Sequence, residues 1–388
     1  MAPAGGLTLT QAGAGAATRA ELAERYASLT EVLQRHAQSA DAAAELPQEV
    51  FAALRASGIL GAAVAVEYGG QGGDSLLTNR LIELTAAADP SVAIILFQHY
   101  AVSSRISEWG SEAQRERYLP RLASGEWIAA SAWSESGSGA DKRNLATKAR
   151  RTEGGGWLLE GAKAFTTGAG LADVYLVLAQ TSAPTDGVAS TYGSDGQTFF
   201  LIEAGNPGLF ANTGMDLVGM RSSATGFVEL TACEADDSAV LGPVGAAVRI
   251  IAGVRESGAT LGAVSAGIAA AAYRTAFAHA RRRGLADQQA VRHRLVDLAA
   301  KVEAARALVD ASARRDSAEP GNTTLYSKIL GSRISEEVVQ EALRLLGSAG
   351  YLHDHPLNKL ARDARAVGLM GPTNDLAREL VSAPWTAA

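Results

Sequence analysis

Cysteine is almost absent: Cys233 is the only one in 388 residues. That excludes an intramolecular disulfide and any cysteine-based metal cluster, and it fits a reducing cytoplasm. Aromatic residues are sparse, at 6%, and no apolar run reaches the roughly 20 residues that a bilayer demands. The nearest candidates, 59–66 and the alanine-rich 262–272, read as buried core. A basic excess is missing as well. Lys and Arg number 35 against 41 Asp and Glu, a formal net charge of −6, so no electrostatic footprint for nucleic acid exists. Residues 1–17 are rich in Ala, Gly and Thr and lack both a basic start and a long apolar run, so they do not read as a signal peptide. What the chain does have is 47% hydrophobic and 20% charged residues. This is the balance of a soluble globular protein too long for one simple core.

Periodicity divides the chain into three parts. From Thr18 to about Ser124 the signals are helical, starting with Leu22, Tyr26, Leu29 and Leu33 at three- and four-residue spacing. Pro47 suits the first turn of a short helix that Ser57-Gly58 closes. Two packed helices are expected over 75–88 and 90–109. Near Glu126 the pattern changes to short runs of β-branched and aromatic residues: 127–133, 146–152, 157–163, 174–180, 198–203 and 226–231. A polar Gly/Ser/Thr loop, 182–197, interrupts them. After Gly245 long helices return, over 246–283, 287–315 and 322–346, with a shorter one near 374–381. The fold class expected is α+β: an N-terminal helical domain (1–125), a small middle β domain (126–238) and a C-terminal four-helix bundle (239–388).

Several motifs lie along this frame. Ala132-Trp133-Ser134-Glu135 ends a strand and leads into Ser138-Gly139-Ala140-Asp141. Lys163-Ala164-Phe165-Thr166-Thr167 follows in the same β region. The last fifth carries Leu345-Leu346-Gly347-Ser348-Ala349-Gly350-Tyr351, then Asn358-Lys359-Leu360-Ala361-Arg362-Asp363-Ala364-Arg365, then Gly371-Pro372-Thr373. In this order they resemble the acyl-CoA dehydrogenase family of flavoproteins, over most of 68–378.

The resemblance implies FAD as the cofactor. Trp133 and Ser134 would lie over the isoalloxazine ring, Ser134 supplying a hydroxyl to its pyrimidine edge. Phe165 would flank the ring, and Thr167 would bond near its reactive nitrogen. Arg283, ending the long helix, would reach the pyrophosphate of a neighbouring subunit. Gly347 and Ser348 would offer backbone N–H groups to the same phosphates, with Arg344 beside them. Thr373 and Asp375 belong to the tail that lies close to FAD. These contacts cross subunits, so a homotetramer or homodimer is implied. The substrate would be an acyl thioester of CoA or an acyl carrier protein, with an external electron acceptor such as an electron-transfer flavoprotein.

The base is where the chain departs from the family. Gly371 falls at the place of the usual tail Glu. Branches without that Glu carry one on the long helix, at the register of Ser257 here, one residue from Glu256. A one-residue slip turns a side chain by about 100° around a helix. Glu256 is therefore the candidate base, with a solvated surface carboxylate as the competing reading. Gly258 and Ala140 depart from the family as well. Two other readings stay open: a reduced-flavin monooxygenase on the same scaffold, served by a flavin reductase and needing no carboxylate base, and a flavin-binding scaffold without turnover. His99 reads as a satisfied core histidine, and His353, Asp354 and His355 as a polar turn, so no metal is expected.

Overall fold

The structure is a computed structural model, which describes residues 19–137, 145–183 and 193–386. Helices α1 (Arg19–Ala43), α2 (Gln48–Ser57), α3 (Ser75–Ala88), α4 (Pro90–Trp109) and α5 (Glu112–Ser124) come first. Their ends follow local chemistry. The Asp74 side chain accepts from the Leu77 N–H to start α3, and Asp89 accepts from Ser91 N–H to start α4, with Pro90 in its first turn. Ser111 and Gln114 form a reciprocal capping box on α5, and Gly125 ends it at φ 74°.

Among the described residues eight strands then form one sheet: β1 (Ala129–Ala132), β2 (Lys148–Arg151), β3 (Trp157–Thr166), β4 (Val174–Gln180), β5 (Gln197–Glu203), β6 (Leu209–Asn212), β7 (Gly226–Ala235) and β8 (Val240–Leu241). The order is β6-β7-β3-β2-β4-β5-β8, with β1 pairing parallel to β4. Central β4 is buried at six successive positions, Val174 to Ala179, because helices cover one face and the β3–β7 layer the other. Cys233, the single cysteine, is buried in β7.

The C-terminal part comprises α6 (Ala247–Glu256), α7 (Gly262–Arg282), α8 (Gln289–Arg314), α9 (Pro320–Leu346), α10 (Pro356–Leu369) and α11 (Asn374–Thr386). Here the structure differs from the expected single helix over 246–283. Gly258 turns left-handed at φ 80° and the helix breaks before Leu261. The buried amide of Asn79 holds the break, donating to the Gly258 carbonyl at 2.9 Å and accepting from Thr260 N–H at 3.1 Å. A side chain on Gly258 would run into the backbone of α8.

One apolar core runs from Leu33 and Leu54 through Leu81, Ile94 and Ile268 to Val302 and Val338, so the two helical parts share a core rather than touching at an edge. No helix among the described residues is long and apolar enough to cross a membrane. His99 is wholly buried on α4. Its Nδ1 accepts from Ala129 N–H at 3.3 Å, leaving Nε2–H to donate to the Leu60 carbonyl at 3.2 Å. Burial pushes its pKa down to about 4 from the ordinary 6.5.

A depressed folded pKa means that the neutral ring's contribution is complete above about pH 6.5 and is lost as pH falls towards 4. That contribution is on the order of 3 kcal/mol. Urea unfolding of wild type and His99→Gln between these pH values should show the steeper acid loss in wild type; parallel curves would contradict the assignment.

Candidate active site

The end of β1 and the end of β3 meet in one wall. The Ala164 N–H donates to the Ser134 carbonyl at 2.8 Å, which places Ser134 beside Phe165. At Phe165 the β3–β7 ladder shifts register between Lys163 and Thr166, and the residue takes φ 55°. A bulky side chain in the left-handed region costs about 1–3 kcal/mol, a strain typical of ligand-contacting bulges. The result is an aromatic ring left 66% exposed. Beyond it, Thr167 is nearly buried and its hydroxyl accepts from Thr225 Oγ1 at 3.4 Å, which in turn lies 2.7 Å from Ser223 Oγ. Behind the wall Trp133 packs on Phe199, ring centroids 4.9 Å apart, and its indole N–H has no partner among the described residues. Thr166 Oγ1 is buried without a partner as well. An exposed, strained aromatic flanked by unsatisfied donors and hydroxyls suits a flat, acceptor-edged ring system, so these residues fit FAD. Residues 138–144, which hold the Ser138-Gly139-Ala140-Asp141 motif, lie outside the described residues.

A buried ion pair braces this wall. Lys163 is fully buried and donates from Nζ to Glu135 at 2.7 Å, while the Glu135 carboxylate also accepts from Ala146 N–H at 2.7 Å and Thr147 N–H at 3.0 Å. Burial pushes the Glu135 carboxyl up, but Lys163 and the backbone donors hold it below its ordinary value. Both residues stand inside the sequence motifs, yet their pairing was not read there. The available signal was an amine set between two small apolar residues, Ala162 and Ala164, in a strand pattern.

The remaining candidates form separate groups within one chain. Arg283 caps the end of α7 and is exposed. Arg344, in the last turn of α9, is exposed apart from an ion pair to Glu341 at 3.4 Å, and Gly347 and Ser348 open the exposed turn after it, Gly347 at φ 60°. These positions leave both guanidinium groups and the turn on the surface. Thr373 starts α11, its hydroxyl accepting from Leu376 N–H at 3.2 Å, and Asp375 pairs with Arg378 at 2.6 Å. Gly371 lies exposed in the turn between α10 and α11. That turn is tied down by Lys328, a buried amine missed in the sequence among the apolar residues of α9. Its Nζ donates to Asn374 Oδ1 at 2.8 Å and to the Gly368 carbonyl at 3.2 Å, and burial pushes its pKa down to about 7.

Glu256 is the last residue of α6 and is exposed, its carboxylate resting against Gly321 in the first turn of α9. The helix break therefore gives it a position a continuous helix would not: it stands at a free end, one residue before the Ser257 cap. His355 caps α10 through its ring, Nδ1 accepting from Leu357 N–H at 3.2 Å, and no cluster of metal-binding side chains occurs among the described residues.

Helical, β and helical parts follow one another in this order, and the wall stands on the β part. Family models named for the acyl-CoA dehydrogenase N-terminal, middle and C-terminal domains match residues 19–126, 130–233 and 249–384. A probable acyl-CoA dehydrogenase of Mycobacterium tuberculosis is 32% identical over 89% of this chain and 90% of its own. An acyl-CoA dehydrogenase of Bacillus subtilis is 29% identical over 87% and 89%. Butyryl-CoA dehydrogenase from Megasphaera elsdenii superposes with a TM-score of 0.85 at 26% identity, covering 95% of this chain and 99% of that one. The chain belongs to the acyl-CoA dehydrogenase family. It is thus a flavoprotein oxidoreductase with FAD as its cofactor.

Replacing Lys163 with Met takes the buried ammonium from the Glu135 carboxylate, and breaking a buried pair from one side costs about 3–5 kcal/mol. The variant should melt lower and lose visible flavin absorbance on gel filtration. Adding Glu135→Gln should restore part of both. A Lys163→Met protein that melts and holds flavin like wild type would remove the brace from the site.

Proposed function

We propose that the chain is a dehydrogenase of acyl thioesters, oxidising the bond between the α and β carbons. Phe165 carries most weight in this reading: a strained, exposed ring beside Ser134 and Thr167 has no structural use unless a planar partner covers it. Ser134 and Thr167 would orient that partner with hydroxyl and backbone donors, and Trp133 would close the wall behind it. Arg283, Arg344, Gly347 and Ser348 would hold the pyrophosphate of FAD bound mainly to a second copy, with Thr373 and Asp375 near the ring. Such sharing supports a homotetramer or homodimer. FAD, when bound, supplies the acceptor for the hydride leaving the β carbon.

Glu256 is the proposed base. A carboxylate screened from water by a bound thioester gains basicity as its charged form loses hydration, and it then takes the α proton at Oε1 or Oε2. It stands exposed at the end of α6, and its side chain would turn away from Gly321 to meet the substrate. The carrier is CoA or an acyl carrier protein, and the electrons leave to an external acceptor of the electron-transfer flavoprotein kind. No observation favours the reduced-flavin monooxygenase; the relatives described above are dehydrogenases by name.

Incubation with butyryl-CoA and an artificial electron acceptor should yield a thioester lighter by two hydrogens in mass spectrometry. Glu256→Gln should lower kcat by about 10²–10⁴-fold with flavin content unchanged. A Glu256→Gln enzyme of wild-type kcat would move the base elsewhere; product carrying an added oxygen would refute the dehydrogenase.

A further inference from the structure

The face of α4 turned towards α6 presents donors that no acceptor among the described residues receives. Arg105 is 5% exposed; its Nη2 pairs with Glu108 at 3.1 Å, but Nε and Nη1 have no hydrogen-bond partner among the described residues. Four residues on, and so on the same side of the helix, the buried indole N–H of Trp109 is also unpartnered. Arginine and tryptophan side chains donate and do not accept. Whatever completes this place must therefore bring acceptor oxygens.

Gly253 stands opposite, on α6. A Cβ built there would lie 3.9 Å from Arg105 Nη1 and 3.5 Å from Glu108 Oε1, ordinary contact distances. Gly253 is inside a helix and does not have a positive φ, so its backbone would accept Ala, which is the better helix former. What glycine adds is space beside a buried guanidinium. Glu108 answers the charge only in part, since its side chain is 46% exposed and water screens it.

The place also lies beside the proposed chemistry. Gly253 is one helical turn, about 4.5 Å of rise, before Glu256. Val102 and Ile106, flanking Arg105 on α4, and Ile250 and Ile251 on α6 belong to one core cluster, against which Trp133 of the flavin wall packs. Arg105 thus lies across from the helix that ends in Glu256, beside the core cluster on which the wall's Trp133 packs.

We propose that Arg105 is a specificity-determining residue that binds a terminal carboxylate, so that the preferred substrates are thioesters of dicarboxylic acids. This rests on the dehydrogenase reading above. Glu108 holds one edge of the guanidinium, Gly253 leaves room at Nη1, and burial of the pair of unused donors makes an alkyl terminus the poorer occupant.

Isothermal titration of the anaerobic FAD-loaded protein with succinyl-, glutaryl- and adipoyl-CoA, each against butyryl-, valeryl- or hexanoyl-CoA of equal length, tests it. At least one carboxyl-ended thioester should bind about tenfold tighter or more than its counterpart. Arg105→Met should erase that preference while straight-chain binding persists. Gly253→Ala, a substitution the helix tolerates, should shrink the preference while raising the melting temperature, so it carries the test even if Arg105→Met fails to fold. Equal affinities in every pair, or a preference that survives in Arg105→Met, would overturn the proposal. If the pairs are equal but straight-chain thioesters still reduce the flavin, the dehydrogenase reading stands alone; if none of the six binds, both fall.

Discussion

One buried charge cluster joins all three parts of the molecule. Lys359 on α10 donates to Asp89 at 3.0 Å and to Asp363 at 2.7 Å, and all three side chains are almost fully buried. Burial pushes the Lys359 ammonium down, but the two carboxylates outweigh it and carry its pKa up. Asp363 also accepts from Met220 N–H at 2.6 Å, and Asp89 also caps α4. Helix α10, the loop before β7 and the N-terminus of α4 are thereby held through shared acceptors. Removing Lys359 would leave two buried carboxylates without their cation, so the arrangement depends on that one amine.

The neighbouring Arg362 extends the cluster outwards, to Asp41 on α1 at 2.6 Å and to the Val218 carbonyl at 2.9 Å. Gly219 lets the two backbones close at that point, since a side chain there would strike the Arg362 carbonyl. The Lys359 to Asp363 stretch is thus a staple between domains. Its influence on the flavin wall is indirect: with α4 held in place, His99 can bridge to Ala129 at the start of β1, and β1 in turn ends at Trp133 and Ser134. A chain of buried, fully paired polar contacts leads from the tail motif to the wall, and each link is directional in a way that apolar packing is not.

Much of this was legible in the sequence because it repeats at helical or strand spacing. The succession of helical, β and helical parts follows from periodicity, and β4 appears in the structure over the same residues that its pattern predicts. The break between α6 and α7 was not read, although its signal, Ser257-Gly258, is the same Ser-Gly pair that correctly ends α2 at Ser57-Gly58. Apolar residues on both sides of Gly258 kept the helical period going, and the constraint that breaks it, Asn79, lies far away in the chain. α10 stands out in the sequence as a motif rather than a helix, because two of its buried positions hold Lys359 and Asp363 where apolar residues are expected. At the site, the residue types of the wall could be read, whereas the strain at Phe165, the Lys163–Glu135 pair and the bare donors of Arg105 exist only once the elements are packed. No local pattern encodes a contact between residues so distant in sequence.

The claim on which the rest depends is that a thioester alone delivers electrons to a flavin seated on the Phe165 wall. An anaerobic visible titration of the purified yellow protein with a panel of acyl-CoA and acyl-carrier thioesters measures this directly. Stoichiometric bleaching of the oxidised flavin band by at least one thioester, without added reductant or oxygen, is expected of the dehydrogenase. A band that stays unbleached by every thioester, with turnover only when reduced flavin and oxygen are supplied together, would contradict it.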